Sequence, residues 1–308
     1  MNDGSPVSDD PTDLATEAFV AHRNLLFTVA YEMLGSAADA EDVLQETWLR
    51  WITVDLEQVG DQRAYLVRMT TRQALNRMRA MKRRKEAYVG QWLPEPLITS
   101  PDVAEHVELA ESVSMAMMLV LETLSPTERA VFVLREAFDV DYDEIAAAVG
   151  KSPAAVRQIA HRARRHVDAR RPRQTVARSV ADAALESFRR AIESGDPQGL
   201  LDVLAPHVVL VSDGGGFKQA SPRPVAGADK VARFMLGGLN RARTRTMIRI
   251  DLTPTLVNGS PALLVRMDGE VDGVLAIEVE DTRITGLYYV RNPEKLSRVG
   301  SETPLSRG

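Results

Sequence analysis

The sequence predicts a multidomain protein: helical N-terminal domains ending in a helix-turn-helix, then an α+β C-terminal domain. Three observations carry that prediction. Helix starts recur between Ser36 and Ser152, each written as a Ser or Asp cap with an acid or proline at the following positions. Cations are segregated: up to residue 60 the only Lys or Arg residues are Arg23 and Arg50, and a dense run from Arg63 to Lys85 follows. Beyond Val176, amphipathic helices give way to short strand-like segments separated by turn pairs, the order of an α+β domain.

At 308 residues the chain is long enough for two or three domains. Hydrophobic residues make up 44% and charged residues 26%, an ordinary globular balance. The net charge of −5 does not argue against a nucleic-acid partner, because the local field, not the total, steers a polyanion. No cysteine is present, which excludes disulfides, thiol catalysis and Cys-based zinc sites. The acidic, polar residues 1–12 are expected to be disordered and do not read as a signal peptide. The longest apolar run, Met115–Leu121, is far short of the roughly 20 residues that span a bilayer. A cytoplasmic protein is expected, with no membrane partner.

Leu14–Leu34 reads as a helix with Phe19, Leu26, Val29, Ala30 and Met33 inward, ended by Gly35. Ser36-Ala37-Ala38-Asp39 caps the next helix, through about Ile52. Leu44, Trp48 and Ile52 form one row of it, and Val43, Thr47 and Trp51 a parallel row. Glu41, Asp42, Gln45 and Glu46 make an adjoining acidic ridge. Acids there complement the helix dipole, and beside tryptophan they also suit docking of a basic partner. A helix from Arg63 to Lys85 carries Tyr65, Leu66, Met69, Leu75 and Met78 inside and arginines elsewhere. Its MKRRK end suits any polyanion.

Ser125–Val167 is the most informative stretch. Ser125-Pro126-Thr127-Glu128 is a capping box, Asp141 to Glu144 repeats the pattern, and Ser152-Pro153 caps a third helix, with Gly150 at the turn. On that third helix Val156, Ile159, Ala160, Ala163 and Val167 form a buried stripe. Arg157, Gln158, His161, Arg162, Arg164 and Arg165 lie opposite, and small Ala154 and Ala155 permit close approach to a groove. That is the layout of a recognition helix. A solvated arginine-rich helix is the plainer alternative.

The ordered set AEDVLQETWLRW, RAYLVRMTTRQALNRMR, SPTERAVFVL, YDEIAAAVG and VRQIAHRAR resembles the extracytoplasmic-function (ECF) sigma factors of the sigma-70 family. The resemblance implies a first sigma domain over 14–86. In it Asp42, Gln45, Glu46 and Trp48 meet the β′ clamp of core RNA polymerase, and Asn76, Arg77, Arg79, Lys82, Arg83 and Arg84 meet the −10 strand. It implies a second sigma domain over 113–172, contacting the β flap. Its Ala154, Ala155, Arg157, Gln158, His161, Arg162 and Arg165 read −35 duplex DNA. Residues 87–112 are then a connector, kept non-helical around Trp92-Leu93-Pro94-Glu95-Pro96 by its prolines. Fully extended, it would reach on the order of 80 Å.

Val176–Glu193 reads as an amphipathic helix, followed by a short helix to Leu204, a strand at His207–Val211 and a helix over Ala228–Leu239. Strands are expected at 244–251, 261–268, 273–280 and 283–290, with turns at Asp268-Gly269 and Asp272-Gly273. This order over 176–300 resembles the SnoaL-like, NTF2-type cone, and with WLPEP the whole resembles the SigJ-type sigma factors. Trp92, Leu93, Pro94, Glu95, Pro96, Asp213, Gly214, Gly215, Gly216, Asn292, Pro293, Lys295 and Leu296 are the interdomain regulatory residues that this implies. Phe217, placed before Lys218, departs from the pattern of that group, in which a basic residue follows the glycines directly. Regulation in cis follows from the resemblance, with an unidentified small ligand in the C-terminal pocket left open. His207 with Asp213, and Glu278 with Glu280, do not assemble into a nucleophile, base and orienter. Neither enzyme activity nor a cofactor or metal is expected. Two alternatives are a stand-alone helix-turn-helix regulator and a SnoaL-type enzyme fused to a DNA-binding region.

Overall fold

The computed structural model describes residues 11–100, 102–103, 106–171, 176–246 and 248–307, without the side chains of 11, 82–86 and 242–246. Among them the N-terminal helices are α1 (Pro11–Leu34), α2 (Ala37–Trp51), α3 (Gln62–Glu86), α4 (Val107–Val113), α5 (Met115–Glu122) and α6 (Pro126–Phe132). Then come α7 (Tyr142–Val149), α8 (Pro153–Asp168), α9 (Arg178–Ser194), α10 (Pro197–Val203) and α11 (Ala228–Thr246). The strands are β1 (Leu204–Asp213), β2 (Val225–Ala226), β3 (Ile250–Val257), β4 (Ser260–Met267), β5 (Glu270–Glu280) and β6 (Arg283–Val290). The chain divides into two compact units. The first gathers residues up to Ala80, Ser125–Arg164 and Leu305 onward, and the second Met81–Leu124 with Arg165–Pro304.

In the first unit the caps act largely as their sequences predict. Ser36 accepts from the Asp39 amide (3.2 Å), and the reciprocal box of Ser125 and Glu128 is complete. Gly150 ends α7 in the left-handed region, and Ser152 accepts from the Ala155 amide. Asp141 departs from expectation: it occupies the N-cap of α7 without a side-chain cap bond, its carboxylate 3.9 Å from Arg135. The expected disorder ran through residue 12, but α1 begins at Pro11; residues 1–10 lie outside the described residues. A π turn, Val133–Ala137, prolongs α6 and was not foreseen.

The core of this unit contains the predicted Phe19, Leu26, Val29, Ala30 and Met33 of α1 with Val43, Leu44, Thr47 and Trp51 of α2, whereas Trp48, Ile52, Tyr65, Met69 and Met78 are only half-buried. The fully buried Trp51 indole donates to the Ala15 carbonyl (2.8 Å). Val156, Ile159, Ala160 and Ala163 form the buried stripe of α8. Residues 305–307 join the unit through α1 and α3: the Ser306 amide donates to Thr28 Oγ1 (3.0 Å) and Arg63 to the Arg307 carbonyl (3.4 Å).

The second unit is built on a six-stranded sheet of order β2-β1-β6-β5-β4-β3, with β1 and β6 parallel and the other pairs antiparallel. One face packs Leu263, Leu275, Ile277 and Leu287 against Leu185, Phe188, Leu200 and Val231 from α9, α10 and α11. The other face packs Val257, Leu264, Val274, Ala276 and Val290 against Leu93 and Met115. Each face thus excludes water with apolar side chains from a different part of the chain.

Three expectations about this domain are corrected. The helix from Ala228 continues to Thr246, so the expected strand at 244–251 is displaced to Ile250–Val257. Its hairpin turn is Asn258-Gly259, at φ 54° and 72°. Asp272-Gly273 is not a turn but lies inside β5, where the buried Asp272 carboxylate receives Arg291. The connector is not simply extended: Leu93 and Leu97 are fully buried, Ile98 bridges to Val257, and residues 107–113 are helical.

Candidate nucleic-acid interface and connector site

Burial of the apolar stripe turns the opposite face of α8 outward. Ala154, Arg157, Gln158, His161, Arg162 and Arg165 are exposed, and Ala155 is half-buried. Arg157 lies 5.6 Å from the Tyr142 ring centroid, and Arg162 is 4.0 Å from Glu128. Arg164 differs from its neighbours: its Nε donates to Glu136 at 3.2 Å, so part of its charge is used within the fold. The exposed group forms a cationic, hydrogen-bonding surface on a rigid helix, suited to a groove lined by phosphates.

On α2 and α3 the structure joins residues that the sequence reading held apart. Arg77 donates to Asp39 through Nε (2.8 Å) and to Asp42 (2.6 Å). Asp42, which is exposed, and Arg77, which is half-buried, are therefore coupled to each other. Gln45 and Glu46 are exposed, while Trp48 is half-buried with its ring 5.3 Å from that of Phe19. Leu49, 56% exposed, adds an apolar element to this face that was missed because it lies off both apolar rows of the helix. Asn76 and Arg79 are exposed and bonded to each other at 3.3 Å. The side chains of Lys82, Arg83 and Arg84 lie outside the described residues.

Within the second unit, the connector, the glycine turn and the Asn292–Leu296 segment converge on one carboxylate. Asp213 is fully buried at the end of β1. Its Oδ1 accepts from Tyr88 (2.6 Å) and from the Gly215 amide (3.0 Å), and its Oδ2 from the Leu93 amide (2.9 Å) and Lys295 Nζ (2.7 Å). Lys295 also donates to the Leu93 carbonyl (2.6 Å) and lies 4.3 Å and 4.7 Å from the ring centroids of Trp92 and Tyr88. Asn292 Nδ2 donates to the Tyr88 hydroxyl (2.7 Å), and its Oδ1 caps the turn at Glu294. Burial, with the adjacent Asp213 carboxylate, holds the Tyr88 phenol above its ordinary pKa.

The glycines are needed for space. A Cβ on Gly214 would lie 2.0 Å from the Lys218 carbonyl oxygen, and one on Gly215 would lie 2.4 Å from the Asn292 amide group. Gly216 and Pro293 are exposed, Pro94, Glu95 and Pro96 are buried, and Leu296 packs against the connector face of the sheet. Lys218, one residue beyond the expected position, reaches Asp272 at 3.2 Å, while Phe217 points to solvent with 64% exposure. Burial would raise the Asp272 pKa, but bonds from Arg291, Tyr289 and Lys218 bring it below the usual carboxylate value. Tyr88 and Asn258 are connector partners that sequence reasoning missed. Asn258 accepts from the Leu97 amide (2.9 Å) and donates to the Val113 carbonyl (2.7 Å). Its Asn-Gly pair was the available signal.

Among the described residues, no helix is long and apolar enough to cross a membrane, and no cluster of three or more His, Asp or Glu could hold a metal ion. Two helical regions, one ending in a helix-turn-helix with a cationic outer face, and an α+β domain joined to the connector define a multidomain protein of the DNA-binding class. Family models described as Sigma-70 region 2 and Sigma-70 region 4 match residues 18–84 and 114–167. The chain is 36% identical over 293 residues to the ECF RNA polymerase sigma factor SigJ of Mycobacterium tuberculosis, covering 91% of this chain and 92% of the relative. It is 31% identical to the probable ECF RNA polymerase sigma factor SigI of the same species, covering 94% and 97%. The crystal structure of M. tuberculosis SigJ superposes with a TM-score of 0.72 at 32% identity, covering 94% of this chain and 100% of that one. The chain belongs to the extracytoplasmic-function sigma factors of the sigma-70 family. The sheet domain carried after its sigma domains is of the α+β type.

Proposed function

We propose that this sigma factor binds core RNA polymerase through Gln45, Glu46, Trp48 and the edge of Asp42. In this reading Asn76, Arg77, Arg79 and Lys82–Arg84 meet the −10 element, and the outward face of α8 reads the −35 element in the cytoplasm. The observation that carries the DNA assignment is the capped helix-turn-helix presenting Arg157, Gln158, His161, Arg162 and Arg165 on one exposed face. The node around Asp213 and Lys295 supports modulation in cis, because it fastens the connector to the C-terminal domain at Leu93 by main-chain and side-chain bonds at once. The role of that domain is regulatory rather than catalytic.

The polymerase contact is tested with Glu46→Arg, which leaves the Asp39–Arg77–Asp42 bonds untouched. In co-purification and run-off transcription with purified core enzyme, this variant should lose polymerase binding and promoter-dependent output together. Retained binding would instead favour a stand-alone helix-turn-helix regulator.

A further inference from the structure

A cavity of about 200 Å³ lies among α4, α5, the start of α9 and the β4–β5 edge of the sheet. Its walls are largely apolar, including Val107, Met117, Ala181 and Ile277, and Glu278 lines it. Along β5, Leu275, Ile277 and Val279 face α9–α11, while Val274 and Ala276 face the connector. Alternation therefore puts Glu278 on the connector side.

Glu278 is largely buried, and among the described residues no hydrogen bond or ion pair reaches its carboxylate. The surrounding charges do not neutralise it. Glu280 lies on its own strand and Glu111 on α4, and both act to keep its proton on; Glu111 itself is paired with Arg171. Arg178, on the cavity wall, lies 3.7 Å from Asp182. Tyr288 on β6 is held above its ordinary pKa by burial and by Glu278 and Glu280. Gly286, directly across from Glu278, leaves room for the Tyr288 hydroxyl, which a Cβ there would meet at 2.8 Å. Burial pushes the Glu278 carboxyl up to about 7, with Glu280 and Glu111 adding to the effect.

An isolated buried carboxylate is costly unless a cation meets it, and Arg178, the cation on the cavity wall, lies against Asp182 instead. We propose that this cavity binds a small organic cation, with an ammonium group against Glu278 and an apolar body against Val107, Met117 and Ile277. The occupant would touch the connector helices and the sheet together, adding contacts between two parts of the second unit. This inference does not rest on polymerase or DNA binding.

Hexylammonium, hexanol and hexanoate are compared by thermal melting of the full chain near neutral pH. Hexylammonium at saturating concentration should raise the midpoint by about 3 °C or more, while hexanol and hexanoate leave it within about 1 °C. Glu278→Gln, of the same shape, should lose the hexylammonium response. Ser260→Lys offers an independent arm: extending the β4–β5 register by two residues places Ser260 opposite Glu278. A lysine there should act as an internal cation and abolish the hexylammonium shift even if the glutamine variant fails to fold. The proposal is overturned if wild type shows no shift with hexylammonium or an equal one with hexanol. An undiminished hexylammonium shift in either variant also overturns it.

Discussion

The outer face of α8 and the Lys295 node are both made of cations beside aromatic rings, yet the fold treats them oppositely. On α8, Arg157, Gln158, His161, Arg162 and Arg165 stand in solvent, and Arg157 has only a loose approach to Tyr142. At the node, Lys295 is enclosed by a carboxylate, a carbonyl and two rings, all within one unit. Exposed cations add little to stability and keep their charge for a polyanion. A buried cation does the reverse, holding its neighbours in place at the expense of availability. The difference separates a surface kept for a partner from a joint that holds the chain to itself.

The sharpest way to break the comparison is Lys295→Met. It strands the fully buried Asp213 without its cation and should destabilise the folded chain by about 3–5 kcal/mol. Denaturant unfolding checks this, and loss of protection from exchange at the Leu93 amide should accompany it. A loss under 1 kcal/mol would place the node among weak surface pairs.

Glu278→Gln gives an intermediate effect of opposite sign. The folded chain holds the Glu278 proton more tightly than the unfolded chain does, since its pKa rises from 4.5 to about 7. Stability from this group is therefore fully present below about pH 4.5 and is lost as pH rises through about 7. The glutamine variant should gain up to about 3 kcal/mol over wild type at pH 8 and little at pH 5. A pH-independent difference would contradict that assignment.

The smallest expected stability effect is that of Arg157→Ala, within about 0.5 kcal/mol. Its consequence should appear in promoter binding instead, as a loss of about 1–3 kcal/mol confined to particular base pairs. Electrophoretic mobility shifts on a panel of substituted −35 duplexes check it. A uniform loss on every duplex would make Arg157 a phosphate contact.

The helical part of the chain was legible because its signals are local. Ser125 and Glu128 bond across one turn, and the α8 stripe repeats at helical spacing. The strand after Arg241 was misplaced because α11 runs on to Thr246 through Gly237, Gly238 and Asn240, residues that ordinarily end a helix, while Pro254 sits inside an edge strand that tolerates it. The connector motif was recognised, but its burial was not legible from local pattern. Leu93 and Leu97 become core only when the far face of a sheet built from later residues comes to cover them. Arg77 with Asp42 shows the same limit: the two are 35 residues apart, and only the packing of α2 on α3 makes one bond of two predicted surfaces.

The Ser306 amide bond to Thr28 sets an order of events during protein synthesis. The first unit includes residues from both ends of the described chain, so α1 lacks that partner until Ser306 has left the ribosome. A nascent chain can form the helices of this unit early, but it must wait for the whole sheet domain before the unit has its full complement of contacts.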